Sequence, residues 1–125
     1  MDKARALDQF WSSFGLLAFD ENSGYDEKVG IPDQYITYEV QTGNFGDPVA
    51  LTASLWYRSA SWADISRKAD EIAAYIGYGG RTITIDGGYM WIKLRSPFAQ
   101  RMPVEQEDGI RRIVLNITVD FLTAV

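Results

Sequence analysis

The chain of 125 residues contains no cysteine and no histidine. Without cysteine it can form no disulfide, no thiolate nucleophile and no cysteine-ligated zinc site. Without histidine it has no Ser-His-Asp triad, no imidazole base and no haem ligand of the common type. These absences exclude most familiar hydrolase chemistry.

Long apolar runs and an excess of basic residues are also missing. No stretch approaches the roughly 18 consecutive apolar residues that a membrane span needs, and residues 2–5 lead into an amphipathic pattern instead of a signal-peptide core. Lysine and arginine number 12 against 17 aspartates and glutamates, so the net charge of −5 repels phosphate backbones. We therefore expect a soluble, untargeted chain that contacts no membrane and does not bind DNA tightly.

Aromatic residues are plentiful, with 4 Trp, 7 Tyr and 6 Phe making 14% of the chain. One small core seldom needs so many, and Trp and Tyr are enriched where two protein surfaces bury against each other. The length and the 46% hydrophobic content suit a single globular domain, and no repeat, low-complexity run or linker divides it. The sequence predicts one domain over 1–125 that carries a protein interface.

Apolar residues at helical spacing predict two helices, over 2–14 and 61–76. Ser61 and Asp64 have the spacing of a capping box at the start of the second helix, and Gly77 ends it. Alternating apolar and polar residues predict strands over 35–41, 49–58, 81–86, 89–95 and 110–123. The Gly87-Gly88 pair predicts a tight hairpin turn.

These elements predict an α+β fold in the order α-β-β-α-β-β-β, with a mainly antiparallel sheet and both helices packed on one face. Residues 20–33, 43–48 and 96–108 are predicted loops. The sheet face without helices would carry Trp56, Arg58, Tyr89, Trp91 and Lys93. That face packs either against a loop of the same chain or against another subunit, and we expect Trp56, Tyr89 and Trp91 to lie at a subunit interface.

Two motifs resemble ligand sites only superficially. Asp20, Asn22 and Gly24 alternate as at the start of a calcium loop, but Tyr25 stands where that loop needs glycine and Ile31 where it needs glutamate. Gly77, Gly79 and Gly80 follow a helix, whereas a phosphate-binding loop precedes one. A solvated acidic loop and a helix end are the better interpretations, so we predict no metal site and no cofactor.

The segment 96–108 is the remaining candidate for chemistry. Glu105, Glu107 and Asp108 could in principle serve as an acid–base pair, but nothing marks a pocket around them, and arginines flank them. We predict no catalytic residue. Phe98 and Met102 are apolar residues in this otherwise polar segment, and they either fold back onto the core or serve as anchors for a partner.

Several stretches, in their order and spacing, carry a family resemblance over nearly the whole chain. They are YITYEV (35–40), FGDPV (45–49), LWYRS (55–59) with Trp62, KADEI (68–72) leading to IG (76–77), and GYMWI (88–92). Together they resemble the tail terminator, or tail completion, proteins of long-tailed phages and prophages of Gram-positive bacteria. These are often described as minor capsid or minor structural proteins.

The resemblance implies a structural protein without catalytic residues. Such proteins assemble as a six-membered ring on the head-proximal end of the tail tube, stop tube polymerisation and form the surface that docks to the filled head. The partners implied are further copies of the chain, the tail-tube protein and a head–tail connector or stopper protein, while DNA passes through the lumen without specific binding. The implied location is the virion tail, assembled in the host cytoplasm.

The predicted loops would then meet the tube or the head connector. The partner-contact residues expected in them are Asp20, Glu21, Tyr25, Phe45, Phe98, Arg101 and Met102. A head–tail joining or head-closure protein is an alternative within the same class of assembly. A small α+β enzyme that binds a ligand is the alternative outside it, and it would require an enclosed pocket with convergent polar groups.

The size of the domain is compatible with a hexameric ring. A chain of this length behaves as a sphere about 35 Å across, and six such spheres leave a central hole of roughly 35 Å, wide enough for a DNA duplex. Because the chain is acidic, we expect a neutral or acidic channel wall along which DNA slides. A lumen lined by Arg58, Lys93 and Arg95 would contradict that expectation.

Overall fold

The computed structural model describes residues 1–23, 30–103 and 109–124. The predictions that concern Gly24, Tyr25, Glu105, Glu107 and Asp108 lie outside these residues. The elements, in chain order, are α1 (Lys3–Ser12), β1 (Leu17–Asp20), β2 (Gln34–Tyr38), β3 (Val49–Arg58), α2 (Ala63–Ile76), β4 (Arg81–Ile85), β5 (Gly88–Met102) and β6 (Ile110–Thr123). In the described part of the chain, neither helix has the length and apolar character needed to cross a membrane.

The first helix lies within the predicted range 2–14 but is shorter, because it begins at Lys3 and ends at Ser12. Asp2 is the N-cap, and its carboxylate accepts a hydrogen bond from the backbone N–H of Arg5 at 2.7 Å. The helix ends at Ser12, after which the N–H of Ser13 donates to the carbonyl of Phe10. Its buried face consists of Ala6, Leu7, Phe10 and Trp11.

The second helix begins differently from the prediction. Trp62 is its N-cap and makes no capping hydrogen bond with its side chain. Ser61 instead accepts from the N–H of Ala63 at 3.0 Å, and Asp64 pairs with Arg67 at 2.9 Å, so the predicted capping box is wrong. The predicted end is confirmed, since the backbone turns at Gly77 with φ +78°.

The sheet has six strands in the order β1-β2-β3-β6-β5-β4. Strands β1 and β2 run parallel and the other neighbours run antiparallel, so the α+β class is confirmed and the mainly antiparallel sheet is corrected to a mixed one. The element order becomes α-β-β-β-α-β-β-β, because residues 17–20 form a strand that the prediction lacks. Asp20 therefore ends a strand instead of opening a loop.

Strand β5 is much longer than the predicted 89–95 and continues to Met102. Its register with β6 shifts between Leu94 and Ala99, so that four residues of β5 lie opposite Asn116. The Asn116 amide nitrogen donates to the carbonyl of Pro97 at 2.9 Å and to the side-chain oxygen of Gln100 at 3.0 Å. This bulge accommodates Pro97 within the strand, and the prediction of an irregular segment is wrong for 96–102.

The β4–β5 hairpin is confirmed, with its turn one residue earlier than predicted. Ile85 pairs with Gly88, so Asp86 and Gly87 form the two-residue turn, and Gly87 supplies the positive φ of +80°. The N–H of Asp86 donates to the carbonyl of Met1, whose ammonium group also contacts the Asp86 carboxylate. The chain start is thereby attached to this turn.

One hydrophobic core lies between the helices and one face of the sheet. It combines the buried residues of both helices with inward-facing residues of the strands, among them Ile36, Leu55, Met90, Leu115 and Ile117. Helix α2 packs on β3, β5 and β6, while α1 contacts both edge strands, β1 and β4. The sheet therefore curls around α1, and its opposite surface, here called the outer face, is left for other contacts.

Candidate interaction surface

The outer face carries the residues that alternate with the core positions. On β3, Leu55 and Tyr57 are buried, whereas Trp56 is half-buried and Arg58 is exposed. The strand register brings Tyr35, Trp56 and Arg112 side by side on this outer face. All five residues predicted for this face occupy the alternate strand positions whose side chains point to it: Trp56, Arg58, Tyr89, Trp91 and Lys93.

A row of stacked side chains crosses four strands at one end of the outer face. The rings of Phe19 and Tyr35 have centroids 5.8 Å apart, those of Tyr35 and Trp56 are 6.0 Å apart, and both pairs are within 10° of parallel. The guanidinium carbon of Arg112 lies 4.8 Å from the Trp56 ring and completes the row. We call Phe19, Tyr35, Trp56 and Arg112 the aromatic row.

Hydrogen bonds fix the orientation of the aromatic row. The indole nitrogen of Trp56 donates to the hydroxyl of Thr37 at 2.9 Å. Arg112 donates through Nε and Nη2 to the hydroxyl of Ser54 at 3.2 and 3.1 Å. Sequence reasoning found Trp56 but missed Phe19 and Arg112 as its neighbours, because their adjacency depends on the strand order.

A second aromatic group lies at the other end of the outer face. The indole nitrogen of Trp91 donates to the carbonyl of Gly79 at 3.1 Å. Lys93 places its ammonium group 4.4 Å from the Trp91 ring and 2.6 Å from a carboxylate oxygen of Asp120. Tyr89, on the same strand, is 53% exposed. We call Tyr89, Trp91 and Lys93 the Trp91 group.

The structure does not bring the predicted interface residues together into one patch. Trp56 lies opposite Arg112 and Trp91 lies opposite Asp120, and these two partners are eight residues apart along β6. At about 3.4 Å per residue the separation is roughly 27 Å. Between them the bulge of β5 reaches over Asn116, so the outer face is covered by its own chain in the middle and carries an aromatic group at each end.

Two basic residues of the outer face, Lys93 and Arg58, have carboxylate neighbours. Lys93 pairs with Asp120, and the Arg58 side chain lies 3.8 Å from a carboxylate oxygen of Asp33. Two of the three side chains that would have made a basic channel wall therefore lie beside a carboxylate. Arg95 is exposed and lies in the bulge of β5.

Arginines gather at the end of the sheet where β6 begins. The guanidinium carbons of Arg101 and Arg111 lie 4.9 and 5.4 Å from the Trp62 ring. Arg111 also donates to the carbonyl of Ala60 at 3.1 Å. With Arg58 and Arg112 they form what we call the arginine end. Trp62, a residue of the family resemblance, thus has two guanidinium groups close to its ring.

Several carboxylates lie along the other half of the sheet, between the middle of β6 and its end. Asp20 closes β1, Glu21 donates its N–H to the carbonyl of Tyr38, and Glu39 accepts from the N–H of Thr52 at 3.0 Å. Asp47 precedes β3 and Asp86 lies in the β4–β5 turn. The strand register places Asp20 and Glu39 level with Leu115 and Asn116, in the middle of β6, whereas Asp47 and Asp86 lie toward its end, so these carboxylates form no single patch.

The predicted partner-contact residues are dispersed over the sheet. Asp20 and Glu21 lie level with the middle of β6, whereas Phe45, which is 62% exposed, donates its N–H to the carbonyl of Thr123 at the end of β6. Arg101 and Met102 lie at the arginine end, on β5 instead of in a loop, and Met102 pairs with Arg112. Phe98 is half-buried and packs against the core, and Tyr25 lies outside the described residues.

Two buried tyrosines on the core side of the sheet have raised pKa values. Burial and then the hydrogen bond to Asp8 raise the pKa of Tyr38, whose hydroxyl donates to the Asp8 carboxylate at 2.6 Å. Burial raises the pKa of Tyr57 as well, assisted by the charges of Asp64 and Glu71. Both phenols serve as neutral structural groups that join the sheet to the helices.

The described ranges contain no group of three or more Asp, Glu, His or Cys side chains arranged to hold a metal ion. Comparison of the chain with models of protein families, with curated proteins and with solved structures finds no significant match. The most distinctive surface of the described residues is a sheet face with two separate aromatic groups and a cluster of arginines at one end.

Proposed function

We propose that this chain is a structural protein of phage tail completion, a tail terminator. It would assemble with copies of itself into a ring, six-membered in the resembled family, that caps the head-proximal end of the tail tube and forms the head-docking surface. The sequence resemblance suggests this identity. The observation that carries the assembly is the presence of two ordered aromatic groups on the outer face.

Two separate groups suit a cyclic assembly. In a head-to-tail ring each subunit contributes two different surfaces, one to each neighbour, whereas a two-fold dimer uses the same patch twice. The aromatic row and the Trp91 group differ in composition and are roughly 27 Å apart along the sheet, in a domain about 35 Å across. In the proposed ring, each group would meet a different neighbour.

The two ends of the sheet suit two different partners. A ring between a tail tube and a head connector presents opposite surfaces to unlike proteins, and here one end of the sheet offers Phe45 while the other offers Arg101 and Met102. Electrostatic complementarity selects between partners more than it adds affinity. We propose that the tail-tube protein and the connector or stopper protein bind at opposite ends.

DNA would pass through the lumen without specific binding. The net charge of −5 disfavours contact with phosphates, and on the outer face Lys93 and Arg58 already have carboxylate neighbours. The chain would act by shape and carry out no catalysis. Its place would be the virion tail, after assembly in the host cytoplasm.

The test is a tube-capping assay with purified tail-tube subunits from the phage or prophage that encodes the chain. We expect added chain to shorten the tubes and, when labelled, to appear at one end of each tube by electron microscopy. Trp56→Ala should cap poorly, and Thr37→Val, which removes only the hydrogen bond to the indole, is the matched control. Binding to the portal side without affinity for tubes would assign the chain to head closure instead.

A further inference from the structure

Strand β4 forms one edge of the sheet, and part of its backbone points away from β5. In a hairpin with a two-residue turn, the pair next to the turn exchanges hydrogen bonds and the following pair does not. Ile85 and Ile83 therefore bond to β5, whereas the N–H and C=O groups of Thr82 and Thr84 point outward. Within the described part of the chain, no hydrogen bond joins these outward groups to another residue.

A groove runs beside this edge, between β4 and α1. Its volume is about 200 Å³. It is lined by Ala6, Gln9, Phe10, Ser13, Tyr75 and Ile83. A free sheet edge beside a helix is the arrangement that accepts an extended peptide as an additional strand.

The alternation of side chains determines which residue of such a peptide would enter the groove. A residue opposite Ile83 points to the same face of the sheet as Ile83, toward Phe10 and Tyr75. The lining there is apolar, and the volume suits one large aliphatic or aromatic side chain. Neighbouring peptide residues would point to the outer face, beside the exposed side chains of Thr82 and Thr84.

Arg81 adds a charge at a fixed distance from this position. It shares the face of Ile83, two residues away, and its guanidinium carbon lies 3.9 Å from the Tyr75 ring. Its Nε donates to the carbonyl of Tyr75 at 2.8 Å, which orients the group. Among the described residues no carboxylate forms an ion pair with Arg81. A carboxylate two residues from the apolar side chain of an added strand would reach it.

We infer that the groove between α1 and β4 binds an extended segment of another protein, which joins the sheet as a seventh strand. The segment carries a large apolar residue opposite Ile83 and an acidic residue two positions away, opposite Arg81. The β4 strand of a second copy would place Ile85 opposite Arg81 and offers no carboxylate there. This inference does not depend on ring assembly, because it concerns the edge and not the outer face.

The test uses the full chain, labelled with ¹⁵N, and a short synthetic peptide. The peptide alternates threonine and valine around one phenylalanine and has an aspartate two positions from it. We expect peptide binding to shift the amide resonances of Thr82 and Thr84 and to slow their hydrogen exchange. Replacing the peptide aspartate by asparagine, or its phenylalanine by alanine, should each weaken binding at least about fivefold.

Variants of the chain separate edge pairing from other binding. Thr84→Pro removes an outward N–H without touching the bonds to β5 and should weaken binding about tenfold, whereas Thr84→Val keeps the N–H and should bind normally. If Thr84→Pro fails to fold, Gln9→Trp, which fills the groove from the exposed side of α1, serves the same purpose. Shifts located elsewhere, or binding unaffected by these changes, would overturn the inference. The hydrogen exchange of the Thr82 and Thr84 amides is also followed without peptide over a series of protein concentrations. If their exchange slows as the protein concentration rises, a second copy of the chain occupies the edge and the inference is overturned.

Discussion

The indole nitrogen of Trp56 donates a hydrogen bond to the hydroxyl of Thr37, 2.9 Å away on the adjacent strand. With Tyr35 stacked on one side and the guanidinium of Arg112 on the other, the indole has a fixed orientation while remaining half-buried. A side chain that is already ordered loses little entropy when a partner covers it. Trp56 is therefore suited to anchor an interface.

Replacing Trp56 by alanine should affect both the fold and the assembly. The lost stacking on Tyr35 and the lost contact with Arg112 should reduce the free energy of unfolding of the monomer by about 2 kcal/mol. If a neighbouring subunit covers the indole, self-association should weaken further. Urea unfolding at low protein concentration measures the first effect, and size-exclusion chromatography with light scattering measures the second. Thr37→Val keeps the contacts of Trp56 with Tyr35 and Arg112 and loses one hydrogen bond, so it should weaken the assembly much less than Trp56→Ala. An unchanged assembly in Trp56→Ala would show that the aromatic row is not part of the interface.

Trp91→Ala should destabilise the oligomer more than the monomer. In the monomer Trp91 is half-buried, and its replacement removes a hydrogen bond to Gly79 and the contact with Lys93. These losses should amount to about 1 kcal/mol. Thermal unfolding measured below and above the assembly concentration separates the two states. Equal losses in both would show that Trp91 serves packing within one subunit.

Stability should decline at alkaline pH because of Tyr38. Since folding raises the pKa of this phenol above its ordinary value of about 10, its contribution is complete below pH 10 and is lost as pH rises through the folded-state pKa. Tyr38→Phe should cost about 1 kcal/mol near neutral pH, through the lost hydrogen bond to Asp8.

The difference in the free energy of unfolding between the wild type and Tyr38→Phe should therefore shrink above about pH 10. The Tyr38→Phe variant still contains Tyr57, whose pKa is also raised, so the variant too should lose some stability above that pH. Urea midpoints on both sides of that pH measure the difference. Asp8→Asn keeps an acceptor for the phenol and is the control. A constant difference between the two proteins across the pH range would contradict the assignment.

Gly88 is required by the close approach of β5 and β6. A Cβ atom at this position would lie 2.0 Å from the backbone carbonyl oxygen of Leu122, so Gly88→Ala must displace one of the two strands. We expect a loss of about 3 kcal/mol in the free energy of unfolding. Gly79→Ala is the matched control, because a Cβ there meets nothing within 4 Å. Similar urea midpoints for the two variants would contradict this explanation.

Sequence periodicity predicted the elements that carry strong amphipathic patterns. Strand β6 was predicted with the bounds it has, and the alternation along β3 correctly placed Trp56 on the face opposite the core. The four residues of β1 were missed because so short a run shows little alternation, and because its partner, β2, is parallel and separated by a long connection. Pro97 concealed the second half of β5, since a bulge that accepts proline cannot be identified from local sequence.

The candidate surface was predictable only in part, for the same reason. Trp56, Tyr89 and Trp91 were identified from the alternation of apolar and polar residues along each strand, which is a local property of the sequence. Their separation into two groups follows from the register on β6, a long-range property that composition does not contain. Phe19 and Arg112 join Trp56 only because β1, β2, β3 and β6 are neighbours in that order.

The central claim is that copies of this chain close into a ring through the outer face. Native mass spectrometry of the purified chain over a series of concentrations tests it most directly. The account predicts a single closed species, six copies in the proposed assembly, that dissociates in the Trp56→Ala variant and persists in Thr37→Val. A monomer at every concentration, with both variants indistinguishable from the wild type, would contradict it.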